Sequence, residues 1–110
     1  MHVSKYQPAI TVDIAEGTVL TVQGLASESK VIKIQNLDLA NTLTYKFQYS
    51  LDGATWTDLA VSTTLAPEAH IVTTLTTYVF HRLRASGNLT IAVEVSAYQA
   101  WNDVFSFVNL

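Results

Sequence analysis

Strict alternation of apolar and polar residues is the feature that most limits how this chain can fold. In the segment TLTYKFQYS, large apolar side chains occupy every second position: Leu43, Tyr45, Phe47 and Tyr49. A helix would spread these side chains around its axis, whereas a β-strand places all of them on one face. The segment therefore predicts a strand of an antiparallel sheet with one covered face.

The same alternation recurs in the segments AITVDI, TVLTVQ, KVIKIQ, TTYVFHRLRA and LTIAVEVSAY. In AITVDI it places Val12 and Ile14 on the buried face, and in KVIKIQ it places Ile32 inward with Lys30 beside it. Turn residues separate the segments at intervals of about 8 to 15 residues, and no segment has the length of a stable helix. The 110 residues are therefore expected to form one all-β domain, a sandwich or barrel of seven to eight short strands.

The two ends of the chain differ from the alternating middle. Residues 1–8 have no alternation and include Pro8, so they predict an N-terminal arm. The tail over residues 99–110 contains a high density of large apolar side chains, among them Trp101, Phe105, Phe107 and Leu110. A solvated tail would not be so apolar. It either adds a strand that closes the core, which is the commoner outcome, or packs on another chain.

The segment YSLDGATWTDL predicts a β-hairpin around Asp52-Gly53, because this dipeptide readily adopts the positive φ angles of a two-residue turn. A two-residue loop pairs Tyr49 with Trp56 and adds the indole to the buried aromatic face. A three-residue loop with a bulge instead places Trp56 on the opposite face, with the Thr and Lys side chains. We favour the two-residue loop and assign Asp52 to turn formation rather than to a binding site.

Charge is sparse along the whole chain. Only 14% of the residues are Asp, Glu, Lys or Arg, and the net charge is −3, whereas an average soluble domain has about 25% charged residues. Part of the surface is therefore expected to be apolar and to meet a partner, or to be covered with Thr and Ser hydroxyls.

The few basic residues do not favour nucleic acid as a partner. Six of them are spread along an acidic chain, and phosphate binding depends on clustered Lys and Arg. Arg82 and Arg84 do share one strand face with Tyr78 and Phe80, a pattern that can bind single strands. We instead expect the two aromatic residues to lie in the core and the two arginines to pair with carboxylates.

No sequence motif indicates catalysis, metal binding or membrane insertion. The chain has no cysteine and no glycine-rich phosphate loop, and the spacing of His2, His70 and His81 matches no local ligand pattern. We therefore predict a protein that is not an enzyme and holds no metal or cofactor. No apolar run reaches about 18 residues, and the start MHVSKYQPAI lacks the apolar segment of a signal peptide. We accordingly expect no membrane partner.

Two segments together resemble a known type of protein. YSLDGATW in the hairpin, followed by YVFHRLRASGNLTIAVEVSAY, is similar to small β-sandwich proteins of tailed-phage virions. Within these, the chain resembles the capsid decoration (cement or staple) proteins of short-tailed phages such as epsilon-fifteen. The resemblance extends from Thr42 to Tyr98. It implies a jelly-roll-like antiparallel β-sandwich that binds the outside of an icosahedral capsid and stabilises it by bridging major capsid subunits.

The resemblance also implies a homo-oligomer, a dimer or trimer, that is made in the host cytoplasm and acts on the capsid surface of the virion. Extended apolar segments can add strands to a neighbouring sheet. We therefore predict partner contacts at the chain ends, by Val3, Tyr6, Pro8, Trp101, Phe105, Phe107 and Leu110. Two alternatives stay open: a carbohydrate- or receptor-binding module, suggested by Trp56 and Trp101, and a phage tail or baseplate subunit.

Overall fold

The structure is a computed structural model that describes residues 2–98 and 105–107. Ten β-strands lie in this part of the chain: β1 (His2–Val12), β2 (Gly17–Gln23), β3 (Lys30–Asn36), β4 (Leu43–Ser50), β5 (Thr57–Asp58), β6 (Thr63–Leu65), β7 (His70–Leu75), β8 (Phe80–Ser86), β9 (Leu89–Tyr98) and β10 (Phe105–Phe107). The described residues form no helix. The alternating segment TLTYKFQYS becomes β4 with Leu43, Tyr45 and Phe47 buried, which confirms the strand prediction.

The strands form two antiparallel sheets packed face to face. One sheet has the order β1-β9-β3-β7, and the other has the order β10-β2-β8-β4-β5, with β6 also paired to β4. The main pairings are nested, β1 with β9, β2 with β8, β3 with β7, and β4 with β5 and β6, as if one long hairpin had been rolled up. This is the jelly-roll arrangement, and the predicted antiparallel β-sandwich is confirmed. The described strands outnumber the predicted seven to eight because β5, β6 and β10 are too short to show alternation.

The apolar core lies between the two sheets and is built from alternate residues of their strands. Its fully buried members include Leu20, Ile32, Ile34, Leu83, Ile91 and Val93. Leu83 on β8 lies opposite Leu20 on one side and Phe47 on the other, so three neighbouring strands contribute to the same layer. Full burial of one such side chain contributes about 1.5–3 kcal/mol. Alternation along each strand is thus what turns the sequence into a two-layer fold.

A buried polar pair interrupts this core. Lys30 on β3 is 1% exposed and His81 on β8 is fully buried. The Lys30 ammonium donates to the carbonyl oxygen of Tyr78 and lies 3.0 Å from Nδ1 of His81. Burial lowers the pKa of Lys30 from 10.5 to about 8. Burial and the neighbouring Lys30 charge lower the pKa of His81 from 6.5 to about 4. At neutral pH the pair is therefore a charged lysine bonded to a neutral imidazole.

The N-terminal segment is a strand and not an arm. Residues His2–Val12 form β1, which pairs with β9. The register shifts between Gln7 and Ile10, so Pro8 lies in a bulge of an edge strand. Proline is tolerated there because an edge bulge does not need every N–H for the ladder. The prediction of an arm over residues 1–8 is therefore wrong for the part that the structure describes.

The β4–β5 connection is wider than a two-residue turn. Tyr49 pairs with Thr57, so the predicted pairing of Tyr49 with Trp56 is wrong. The Asp52 carboxylate accepts hydrogen bonds from two backbone N–H groups of the loop, at 2.8 and 2.9 Å. These bonds stabilise the wider loop and lower the pKa of Asp52 to about 2. Asp52 is therefore a turn former, as predicted, although the turn is of another length.

Candidate functional site

The described residues do not bring a metal site together. Within residues 2–98 and 105–107, no three His, Cys, Asp or Glu side chains are arranged so that they could hold a metal ion. His2 and His70 are exposed, and His81 is buried. No helix in this part of the chain is long and apolar enough to cross a membrane.

Four connections meet at one end of the sandwich, here called the loop end. They are residues 13–16 after β1, 37–42 after β3, 66–69 after β6 and 87–88 after β8. The N–H groups of Gly87 and Asn88 donate to the carbonyl oxygen of Asp13 at 3.0 and 3.2 Å. The N–H of Glu68 donates to the carbonyl oxygen of Asp38 at 3.2 Å. Backbone hydrogen bonds thus tie the connections to one another in pairs.

Side-chain hydrogen bonds fix the connection after β3. Asn36 is fully buried, and its Nδ2 donates to the carbonyl oxygens of Asn41 at 2.9 Å and Leu65 at 3.1 Å. The Asp38 carboxylate accepts hydrogen bonds from the N–H groups of Ala40 at 2.8 Å and Asn41 at 2.7 Å. These bonds lower the pKa of Asp38 below its usual value. These hydrogen bonds satisfy buried and backbone polar groups and so stabilise the conformation of this connection.

Two large aliphatic side chains project from the loop end into solvent. Ile14 is 82% exposed and Leu39 is 79% exposed, and Leu37, two residues before Leu39, is 39% exposed. A single exposed aliphatic residue needs no explanation, but these lie at the same end of the sandwich on connections that hydrogen bonds fix. A partner that covers them has little chain to order on binding. The loop end therefore presents exposed aliphatic side chains on connections that hydrogen bonds join.

Sequence alternation did not identify this surface. The pattern in AITVDI assigned Ile14 to the buried face, but β1 ends at Val12 and Ile14 lies in the connection that crosses to the other sheet. That assignment is wrong because alternation determines orientation only within a strand. The signal that could have found the surface is an aliphatic residue inside a polar turn segment, as in DIAEG and NLDLAN.

The outer face of the β1-β9-β3-β7 sheet is a second, flat surface, here called the four-stranded face. Its side chains are Ser4, Tyr6, Val31, Lys33, Gln35, His70, Val72, Thr74, Ala92, Glu94 and Ser96. Among these eleven, Lys33 is the one lysine or arginine and Glu94 the one aspartate or glutamate. Tyr6 is 55% exposed and Val72 is 56% exposed. This face has the sparse charge that the composition predicted, and it combines exposed apolar side chains with hydroxyls.

The strand register orders the four-stranded face in rows. The central row runs across the sheet as Tyr6, Glu94, Lys33 and Val72. On one side of it lies the row Ser4, Ser96, Val31 and Thr74. On the other side lie Ala92, Gln35 and His70, next to the bulge at Pro8. Ala92 lines a depression of about 200 Å³ whose other lining residues are Tyr6, Lys33, Gln35 and Glu94.

The outer face of the other sheet holds charges that satisfy one another. Glu16 accepts a hydrogen bond from Nε of Arg84 at 3.1 Å and lies 3.4 Å from Nζ of Lys46. The same lysine lies 3.3 Å from the carboxylate of Asp58. The hydrogen bond from Arg84 is the largest cause that lowers the pKa of Glu16. Because these charges have partners within the chain, this face offers less to a charged ligand than its composition suggests.

Arg82 is also engaged within the chain. Its guanidinium carbon lies 4.4 Å from the ring centroid of Trp56, and its Nε donates to Oε1 of Gln48 at 2.6 Å. Trp56 therefore lies with Arg82 on the outer face, the position that a three-residue loop had predicted. Phe80 alternates with Arg82 on this face and is half-buried, so its predicted place in the core is wrong. Tyr78 precedes β8 and is half-buried.

Three of the predicted contact residues lie on β1. Tyr6 is exposed within the four-stranded face, and Pro8 is exposed at the bulge beside that face. Val3 is half-buried. The structure thus joins Tyr6 to residues of β3, β7 and β9 that the sequence had not linked to it. The contact role of these three residues stays a prediction.

The described part of the tail adds a strand to the sandwich. Phe105–Phe107 form β10, which pairs with β2. Phe107 is buried in the core, and the ammonium of Lys5 lies 5.6 Å from its ring centroid. Phe105 is half-buried and packs against the core. Core closure, the commoner of the two expected outcomes, therefore holds here, and Phe107 offers little surface to a partner. Trp101 and Leu110 lie outside the described residues.

Comparison with known proteins supports the fold. No family model matches the chain, and no curated protein matches it. The structure is similar to that of PirA, at 12% identity and a TM-score of 0.55, over 86% of this chain and 93% of that one. It is also similar to a chain of the Bacillus endospore appendages, described as disulfide-linked pili, at 14% identity and a TM-score of 0.57, over 89% of this chain and 88% of that one. At these identities the likeness shows a shared β-sandwich fold.

Proposed function

We propose that this chain is a non-enzymatic structural protein that binds the surface of a larger protein shell through its loop end. The observation that carries the proposal is the exposure of Ile14 and Leu39 on connections that hydrogen bonds hold in place. Apolar side chains that are buried at the centre of an interface supply most of its binding energy. Their rigid display reduces the entropy that binding would otherwise cost.

The sequence resemblance supplies the identity of the shell. It implies the capsid of a tailed phage, with the major capsid protein as the partner and the outside of the virion as the location. The sparse charge of the chain, 14% of its residues, fits a surface that is covered in the assembled particle. A jelly roll serves many functions, so the fold alone does not distinguish this role from that of a tail or baseplate subunit.

The proposal predicts that Ile14→Asp and Leu39→Asp each weaken binding to capsids by at least about tenfold, because a charge is then buried against an apolar contact. Capsids that lack this protein would be mixed with purified chain, and the bound fraction measured by co-sedimentation over a range of concentrations. Val61→Asp is the matched control. Val61 is also aliphatic and 87% exposed, but it lies on the β5–β6 connection, outside the loop end. We expect it to bind as the wild type does.

Circular dichroism would establish that each variant is folded. Equal binding by the two loop-end variants and the control would assign the contact to another surface. A wild-type chain that associates with no capsid at any concentration tested would contradict the proposed function as a whole.

A carbohydrate-binding module is the second candidate. It is favoured by a depression of about 360 Å³ beside the β4–β5 connection, lined by Tyr49, Asp52, Thr55 and others. An aromatic ring, a carboxylate and hydroxyls are the groups that such sites combine. Binding on a glycan array that Thr55→Val abolishes would support this reading. A silent array would leave shell binding as the function.

A further inference from the structure

We propose that the four-stranded face pairs with the same face of a second copy, around a two-fold axis that runs along the strands between β9 and β3. Rotation about this axis places β9 of one copy over β3 of the other, and β1 of one copy over β7 of the other. Each row of side chains therefore lies over the same row of the second copy, with the order of its residues reversed. The inference rests on the order of residues within these rows. It does not depend on what the loop end binds.

The charges of the face are self-complementary under this operation. In the central row, Lys33 and Glu94 are adjacent. The two-fold axis passes between them, so Lys33 lies over the second copy's Glu94 and Glu94 over the second copy's Lys33. Within the described residues, the ion pairs join Lys46 to Glu16 and Asp58, and Arg84 to Glu16, and they leave Lys33 and Glu94 out. Opposed charges across an interface fix its register.

The apolar and small side chains are complementary in the same way. The ends of the central row are Tyr6 and Val72, so each exposed tyrosine would cover the second copy's exposed valine. In the next row, Gln35 and Ala92 are opposite each other. The amide of Gln35 would therefore enter the depression above the second copy's Ala92. Large side chains thus meet small or apolar ones along both rows.

The size of the face suits a reversible dimer. Four strands at about 4.8 Å spacing, each contributing about five residues of about 3.3 Å, cover an area of about 19 by 17 Å. Pairing two such faces covers about 650 Å² of sheet over both copies, below the roughly 1,200 Å² at which stable interfaces begin, so the dimer is expected to be weak and reversible. Two twisted sheets can pack face to face with their strands nearly aligned, so the geometry needs no change in either copy.

The orientation of the axis has a consequence for binding. A rotation about an axis along the strands does not reverse the strand direction, so the loop ends of both copies point the same way. A dimer built in this way would present two loop ends to one surface. Two linked contacts raise the effective concentration of the second one and hence the overall affinity.

Charge reversal tests the pairing. Lys33→Glu alone and Glu94→Lys alone each place like charges opposite one another, and we expect each to weaken dimerisation at least about tenfold in sedimentation equilibrium. An equimolar mixture of the two variants should regain the dimer, because every like pair then becomes an opposite pair between the copies. Glu28→Lys is the matched control, because Glu28 lies on the β2–β3 connection, outside this face and outside the ion pairs of the described residues, and this variant should dimerise as the wild type does. A wild-type chain that stays monomeric at all concentrations, or variants without rescue in the mixture, would overturn the proposal.

Cysteine cross-linking tests the axis itself, and the absence of native cysteine makes it clean. Tyr6 and Val72 lie on the two edge strands of the sheet, three strand spacings or about 14 Å apart, too far for a disulfide within one copy. Facing sheets lie about 10 Å apart, so a thiol-reactive cross-linker of about that reach should join Tyr6→Cys to Val72→Cys in an equimolar mixture, whereas either variant alone should give far less cross-linked dimer. Equal cross-linking by Tyr6→Cys alone would contradict this axis. Cross-linking of this face to capsid protein alone would assign the face to that partner and would overturn self-pairing.

Discussion

Replacing Lys30 with alanine is expected to lower the free energy of unfolding by about 2–5 kcal/mol. The change removes a buried aliphatic stem and leaves a cavity, which costs free energy in proportion to its volume. It also leaves the carbonyl oxygen of Tyr78 and Nδ1 of His81 without the ammonium that both contact, and an unsatisfied buried polar group adds to the cost. Urea unfolding followed by tryptophan fluorescence would measure the change.

Lys33→Ala is the matched control for this experiment. Lys33 lies on the same strand, but its side chain is on the exposed face. Its replacement should alter the free energy of unfolding by no more than about 0.5 kcal/mol, measured at low protein concentration so that self-association does not contribute. Similar losses in the two variants would show that the Lys30 amine is not part of the core.

Acidification from about pH 6.5 to about pH 4 is expected to destabilise the fold by up to about 3 kcal/mol through His81 alone. Its pKa is lowered from 6.5 to about 4 by burial first and by the Lys30 charge second. Between these two pH values the unfolded chain binds a proton on this residue that the folded chain does not, so stability falls as the pH falls. The pKa of Lys30, lowered from 10.5 to about 8, gives a second window in which stability rises with pH.

The comparison of two histidine variants isolates this effect. His81→Gln removes the titrating group and keeps a polar side chain beside Lys30, so the slope of stability against pH should flatten between pH 4 and 6.5. His70→Gln, at an exposed position of β7, should keep the wild-type slope. Equal slopes in all three proteins would exclude His81 as the source. The carboxylate of Asp52, whose pKa is lowered from 3.8 to about 2, also contributes to stability. That contribution is lost only as the pH falls below about 4, outside this window.

The sequence predicted the layers of the fold better than its connections. Alternation in TLTYKFQYS and KVIKIQ correctly identified the buried faces of β4 and β3, because orientation within a strand is a local property. It also placed Lys30 on the inward face. The contact of Lys30 with His81 could not be predicted, since the two residues are 51 positions apart and meet only through the packing of one sheet on the other.

Turns and edges were predicted less well for a different physical reason. Asp52-Gly53 favours a tight turn by its backbone preference, but the side-chain hydrogen bonds of Asp52 select a wider loop. Residues 2–8 show no alternation because β1 is an edge strand with a bulge at Pro8. The four-stranded face unites residues of four strands that are distant in sequence, so only the register reveals it.

The direction of β1 has a practical consequence. This strand leads from His2 to the loop end, and its first residue pairs with Tyr98 at the opposite end of the sandwich. On a particle covered through the loop end, a peptide fused ahead of His2 would therefore project outward from every attached copy. On the proposed attachment through the loop end, the direction of this edge strand would make the domain a scaffold for displaying antigens or enzymes on the outside of particles.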